Sequence, residues 1–147
     1  MAVHASFSSF DEWLKALPDY IRKSPLMEYV AYPKALFIND LVWRDSEILI
    51  KSARGIKLAQ QLIASADSIS ANIEEGYGRG FGKDYARFLE ISLGSARETQ
   101  GRYFRCRHLL TDRVVEHRFK LLDEIIALLV TTSQQQRYRP KPKNSTK

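Results

Sequence analysis

Apolar residues recur along most of this chain at intervals of three and four, and no stretch alternates convincingly at every second position, so the pattern predicts helices and no strands. Leu36, Phe37, Leu41, Ile48 and Leu49 form a first stripe. Pro33 suits its opening turn and Gly55 offers a stop. A second stripe, from about Ile56, runs through Leu58, Leu62, Ala66, Ile69 and Ile73, with Gly76 or Gly78 placed to take a left-handed C-terminal position. The third helix, about Lys83 to Leu110, aligns Tyr85, Phe88, Leu89, Ser92, Ala96, Thr99, Tyr103 and Cys106, whose small members permit close helix approach. A fourth, about Asp112 to Gln135, aligns Val114, Val115, Leu121, Leu122, Ile125, Leu128 and Leu129, with Asp112 as its cap.

Short connections between such helices favour antiparallel neighbours. The expectation is therefore an all-α protein, an antiparallel up-down four-helix bundle over residues 33–136, preceded by a short helical N-terminal extension over residues 1–32. In that extension Ser8 or Ser9 caps a helix carrying Trp13, Leu14 and Leu17, with Asp11 and Glu12 in its favourable first turn; Pro18 ends it.

Composition changes this picture little. A chain of 147 residues with 44% apolar content is the size of one domain with a proper core. Its longest apolar runs, such as Ile125 to Val130, fall short of the roughly 20 residues a bilayer span needs, and the start of the chain lacks a signal-type apolar block; the expected location is cytoplasmic, with no membrane partner. Cys106 is the only cysteine, which excludes an internal disulfide and a cysteine-based zinc site within one chain and suits a buried small hydrophobe.

Charge changes it more. The formal net charge is +6, yet Arg137, Arg139, Lys141, Lys143 and Lys147 crowd the end of the chain without an acid, leaving residues 1–133 at +1. With two prolines and no aliphatic residue, residues 137–147 read as a basic disordered tail, either a solubilising terminus or a phosphate-binding arm. A second group of cations, Arg97, Arg102, Arg105 and Arg107 on the third helix with Arg113, Arg118 and Lys120 across the turn, makes a candidate nucleic-acid-binding patch. Tyr103 and Phe104 interleave it; Tyr103 falls on the apolar seam, and Phe104 is the freer ring for stacking on bases. A solvated helix face accounts for the same residues.

Signals for catalysis are weak. The cluster GYGRGFG at residues 76–82 contains Gly-x-Gly spacing, but a dinucleotide fingerprint follows a strand, and here a helix precedes it. Glu90 and Glu98 lie eight apart on one helical face and pair more naturally with Arg87 and Arg97 than with a metal, because no Glu in the chain has a His three residues later. Of His4, His108 and His117, only the last two flank one turn, and surface positions suffice for them. No Gly-x-Ser-x-Gly elbow, Walker loop or His-Glu-x-x-His run is present. The expectation is a non-enzymatic protein without cofactor or metal.

The run Ser68-Ile69-Ser70-Ala71-Asn72-Ile73-Glu74-Glu75-Gly76-Tyr77-Gly78-Arg79, followed by Arg87-Phe88-Leu89-Glu90-Ile91 and Leu93-Gly94-Ser95-Ala96-Arg97-Glu98, resembles the avd-like four-helix-bundle family over roughly residues 36–137. That family takes in proteins encoded in intervening sequences of large-subunit ribosomal RNA genes and the accessory variability determinant of diversity-generating retroelements. Asp40-Leu41-Val42-Trp43 and Trp13-Leu14 look like a longer branch of it. The resemblance implies a homopentamer with a basic surface and, for retroelement members, binding to DNA or RNA and to a reverse transcriptase. Two departures thin the basic face: Ile63-Ala64 stands where members often carry paired arginines, and Glu74 where a small residue is usual.

The motif's own residues, Ser70, Asn72, Glu75, Gly76, Arg79 and Glu98, have a structural reading. Ser70 and Asn72 on an apolar helix need polar partners. Glu75, at a helix end unfavourable to an anion, calls for a semi-buried clamp with Arg79 or Arg87. Two function classes result, a nucleic-acid-binding oligomeric adaptor and a protein-interaction scaffold whose arginines are consumed by Glu90, Glu98 or Asp123.

Overall fold

The computed structural model describes residues 9–139. Four long helices dominate: α3 (Ala31–Leu49), α4 (Ala53–Gly78), α5 (Lys83–Arg105) and α6 (Asp112–Arg137). Two short ones, α1 (Phe10–Lys15) and α2 (Asp19–Arg22), and a 3-10 turn over Pro25–Glu28 precede them. No strand occurs among the described residues.

Each long helix buries a seam spaced alternately by three and four. The buried positions are Ala31, Ala35, Ile38, Val42, Asp45 and Leu49 on α3, and Gly55, Ala59, Leu62, Ala66, Ile69, Ile73 and Gly76 on α4. On α5 they are Tyr85, Leu89, Ser92, Ala96, Thr99 and Tyr103, and on α6 Val115, Arg118, Leu122, Ile125 and Leu129. A 3-4 spacing averages 3.5 residues per turn, the repeat that keeps a seam facing its neighbours along a left-handed bundle. Cross-helix hydrogen bonds fix direction: Ser92 Oγ donates to the Ile69 carbonyl at 2.8 Å and Thr99 Oγ1 to Ser65 Oγ at 2.9 Å, so pairing advances along α5 as it retreats along α4. Glu90 likewise meets Arg137 while Gln100 meets Asp123, and Asn39 meets Ser70 while Tyr32 meets Glu74. Tyr29 bonds the Leu128 carbonyl and Asp45 bonds Arg118, which closes α3 onto α6. The architecture is an antiparallel up-down-up-down bundle.

The described part of the N-terminal extension, residues 9–32, packs on the bundle. Ser9 caps α1 by accepting from the Glu12 amide at 3.2 Å. Trp13 is 2% exposed, stacks among Phe10 and Phe37, and donates its indole N–H to Asp40 at 2.7 Å.

Several local expectations are corrected. Gly55 is not a stop: α4 already begins at Ala53, and Gly55 is buried where a side chain would collide with the Leu49 carbonyl. Gly76 is not a left-handed cap either, since it sits inside α4 with Tyr85 and Phe88 packed over it. The positive-φ glycines come later, Gly80 at 90° and Gly82 at 84°. Thr111, not Asp112, caps α6, accepting from the Val114 amide, and leaves Asp112 as the acid of the first turn. Ile48, assigned to the first stripe, is exposed. The third helix gives way after Arg105 to a 3-10 turn over Cys106–His108.

Candidate functional site

At one end of the bundle the last turn of α5 meets the first turns of α4 and α6, because the chain doubles back there. Arg105 and His108 at the end of α5 suit a helix C-terminus, where the macrodipole is negative. Arg54 and Arg113 do not, for each is the second residue of its helix and adds positive charge to a positive dipole end. Ser52 makes no side-chain cap to the first turn of α4. Asp112 offsets the start of α6, but α4 has no acid in its first turn, so the charge of Arg54 there is uncompensated, the condition that favours an anion at a helix start.

Two grooves open beside it. The larger, of about 520 Å³, is lined by Arg54, Arg105, Arg107 and His108 over an apolar floor of Leu58 and Leu109. The smaller, of about 220 Å³, includes Arg44, Arg113 and His117 beside Phe37, Leu41 and Val114. Next to the first, Phe104 is exposed and the Arg107 guanidinium lies 4.2 Å from its ring centroid, a pre-stacked pair whose ring can take a further flat partner.

The other arginines of the predicted patch have different settings. Arg118 is 8% exposed and belongs to the core: its Nε and Nη2 donate to Asp45 at 2.8 and 3.0 Å, and the Tyr103 hydroxyl donates to Asp45 Oδ2 at 2.7 Å. Burial pushes the Tyr103 hydroxyl well above its ordinary value, and the Asp45 charge adds to this. Arg118 Nη1 also contacts His117 Nδ1 at 2.7 Å. Arg118 thus leaves the nucleic-acid patch, because its charge is spent on a carboxylate the core would otherwise have to bury alone. Arg102 is largely covered, held by Glu98 at 3.2 Å and by the Gln61 carbonyl. Arg137 is taken by Glu90. Lys120 pairs with Glu116 at 3.1 Å but stays solvated, and Arg97 is exposed on the surface of α5. Arg139 lies over Phe81 at the opposite end. Lys141 and Lys143 lie outside the described residues.

The motif residues serve the fold. Ser70 Oγ accepts from Asn39 at 2.9 Å, and Asn72 Nδ2 donates to the carbonyl and hydroxyl of Ser68. Glu75 pairs with Arg79 at 2.9 Å, but both side chains are about half exposed, so the expected semi-buried clamp is a solvated i,i+4 pair. Arg87 rests on Phe88 instead. His108 and His117 line separate grooves. Cys106 is buried, and burial lifts its thiol to about 11. Sequence reasoning missed Arg44 and Arg54, which precede the turn and fall outside the cation-rich run; only the antiparallel pairing of α4 with α5 brings Arg54 to Arg105.

The 23S rRNA-intervening sequence protein model matches residues 28–131. The chain belongs to that family. The matched span takes in all of α3, α4 and α5 and most of α6, so the family features are those of the bundle. Among solved structures the chain is similar to a protein of unknown function from the S23 ribosomal protein family of Bacteroides thetaiotaomicron VPI-5482, with a TM-score of 0.64 and 23% identity over 69% of this chain and 95% of that one. At that identity the likeness establishes the fold. No curated protein matches the chain. Among the described residues no helix is long and apolar enough to cross a membrane, and no three His, Cys, Asp or Glu side chains are placed to hold a metal.

Proposed function

We propose that this member of the 23S rRNA-intervening sequence protein family is a non-enzymatic oligomeric adaptor that binds nucleic acid through the basic end of its bundle. The observation that carries the reading is the larger groove, where Arg54 from α4, Arg105 from the end of α5 and Arg107 from the 3-10 turn after it converge and Phe104 stands exposed alongside. None of these three arginines is drawn into the ion pairs that hold Arg102, Arg118 and Arg137. Phosphates supply the complementary charge, and Phe104 offers a face to a base.

Self-association is supported by a band of apolar residues around the α3–α4 turn. Ile48, Ile50 and Ile56 are exposed there, and Trp43, earlier on α3, is 59% exposed, apolar surface that a second copy would cover. The pentameric number and a reverse transcriptase as protein partner come from the family resemblance and extend the same proposal. A ring repeats the basic groove and so multiplies weak phosphate contacts into avidity.

The test is fluorescence anisotropy of labelled DNA and RNA at several salt concentrations, with mass measured by light scattering on the same samples. Arg54→Glu/Arg105→Glu/Arg107→Glu should lower the salt slope by about three and weaken binding at low salt at least tenfold. Affinity and slope equal to wild type would remove this surface from the function and favour the scaffold reading, in which the arginines serve protein contacts.

A further inference from the structure

The far end of the bundle carries a second feature that the first groove does not explain. The α4–α5 connection holds Gly80 and Gly82 at positive φ, 90° and 84°, on either side of Phe81. A Cβ at either glycine would meet nothing within 4 Å, so steric crowding does not demand them; the backbone path does. That path turns Phe81 outward to 45% exposure, clear of the core cluster. The loop is tied to the end of α6: the Gly82 amide donates to Gln136 Oε1 at 3.0 Å, and Arg137 pairs with Glu90 on α5. The same tie brings Arg139 to 4.9 Å from the Phe81 centroid. Tyr138, in the turn after α6, is 80% exposed, and Tyr77 near the end of α4 is 47% exposed. A groove of about 350 Å³ lined by Phe81, Gly82, Lys83, Asp84, Arg137 and Arg139 completes the surface; Arg137 is engaged by Glu90, which leaves Lys83 and Arg139 as its cations beside the single acid Asp84.

We propose that this end is a stacking platform for single-stranded nucleic acid, in which Phe81 and Tyr138, with Tyr77 beside the loop, take unpaired bases while Lys83 and Arg139 hold the adjoining phosphates. It extends the nucleic-acid reading to the opposite end of the bundle and rests on that reading only for the ligand class. Three exposed rings interleaved with cations suit a strand whose bases are free, since each base has a flat face and each linkage a charge. A duplex keeps its bases stacked inside and offers the rings only backbone. A two-fold contact with a second copy of the chain is disfavoured by charge, because it would bring Lys83 and Arg139 against their like. Beyond Arg139 the sequence continues with Lys141, Lys143 and Lys147 and no acid.

The test compares full-length wild type with Phe81→Ala/Tyr138→Ala, titrated against a labelled unstructured single strand and a hairpin duplex of equal length, each as RNA and DNA. Both residues are exposed, so circular dichroism and scattering mass should not change. Single-strand affinity should fall about tenfold per ring removed, with the salt slope and duplex affinity kept. Phe81→Tyr/Tyr138→Phe should restore it, because stacking needs the ring and not the hydroxyl. Phe81→Trp should show fluorescence quenching by the single strand that the duplex does not produce. Equal losses for single strand and duplex, or no loss at all, would overturn the platform. A fall in scattering mass without a change in strand affinity would overturn it too, by assigning these rings to subunit contact. The Arg54→Glu/Arg105→Glu/Arg107→Glu variant separates the two ends: if it binds as wild type while the ring variant fails, only the first site is wrong.

Discussion

The same end of the bundle uses arginine in two opposite ways. Arg118 lies on the α6 seam between Val115 and Leu122, sealed by Asp45 and Tyr103 from two other helices, while Arg105 and Arg107, from the helix end that Tyr103 precedes, face solvent around Leu109. What separates them is whether a carboxylate reaches them inside the fold. A buried guanidinium with both forks satisfied specifies how α3, α5 and α6 meet, and it has little to offer a ligand. An exposed one without such a partner contributes little to stability and remains available to a polyanion. Residue type and local sequence do not decide between these fates; the third dimension does.

The comparison breaks most sharply at Asp45. Asp45→Ala leaves Arg118 buried and charged without its partner, and should cost about 3–5 kcal/mol. At roughly 2–4 °C per kcal/mol for a chain of this size, the melting temperature should drop by about 6–20 °C in differential scanning calorimetry. Asp45→Leu/Tyr103→Phe/Arg118→Met, which replaces the whole trio by apolar groups, should regain wild-type stability or exceed it. A small loss in Asp45→Ala would mean that water already reaches the trio and that the contrast between interior and surface arginines is one of degree.

His117 stands between the two regimes and sharpens the contrast through pH. An arginine can only donate, so its Nη1 contact requires the His117 Nδ1 to accept, which a protonated ring cannot do. Burial holds the His117 ring below its ordinary value, the Arg118 charge acts in the same direction, and Asp45 and Glu124 oppose them. Arg44 and Arg113, lining the same groove, add to the local positive charge. In the unfolded chain the ring takes its proton near pH 6.5. The folded chain takes it at lower pH, so the unfolded state binds more protons in that window. Stability should therefore be complete above about pH 6.5 and decline as pH falls below it, visible as a falling urea midpoint between pH 7.5 and 5.5. His117→Asn, which keeps an acceptor that does not titrate, should flatten that decline; an identical decline in the variant would place its origin elsewhere.

How much of this was legible in the sequence follows from the distances over which each signal acts. The helices were legible because their seams repeat every three and four residues within one element: Leu62, Ala66, Ile69 and Ile73 declare α4 without reference to anything else. The trio was half legible. Asp45 falls at the position between Val42 and Leu49, and Arg118 between Val115 and Leu122, so each interrupts a seam in a way periodicity can flag. Their pairing spans 73 positions, however, and only the closed bundle supplies it. Gly55 was misread because a glycine after a helical stripe signals a stop, whereas here it serves a close approach to the preceding helix end. The larger groove was legible in Arg105 and Arg107 and missed in Arg54, and the smaller was legible in Arg113 and missed in Arg44, because the neighbours of Arg54 and Arg44 in space come from other helices. Phe81 escaped attention because the glycines around it were weighed only as a phosphate loop and set aside, while what they do is turn one ring outward.

The smallest expected effect sets the two glycine classes of the bundle against each other. Gly76 is buried with a Tyr85 ring atom 2.8 Å from where a Cβ would stand, so it is required by packing. Gly94, in the middle of α5, is exposed, and a Cβ there meets nothing within 4 Å. Within a single chain, Gly94 is therefore only a cost, since glycine in a helix interior is less stable than alanine by about 0.5–1 kcal/mol. Gly94→Ala should raise the melting temperature by about 1–4 °C. Because Ile91, one turn earlier on α5, is also exposed, the measurement has a second value when repeated across a concentration series. A gain at every concentration would show that this face of α5 is free in the assembled protein. A gain at low concentration that turns into a loss of assembly at high concentration would show that another subunit approaches the backbone at Gly94, where only a residue without a side chain fits.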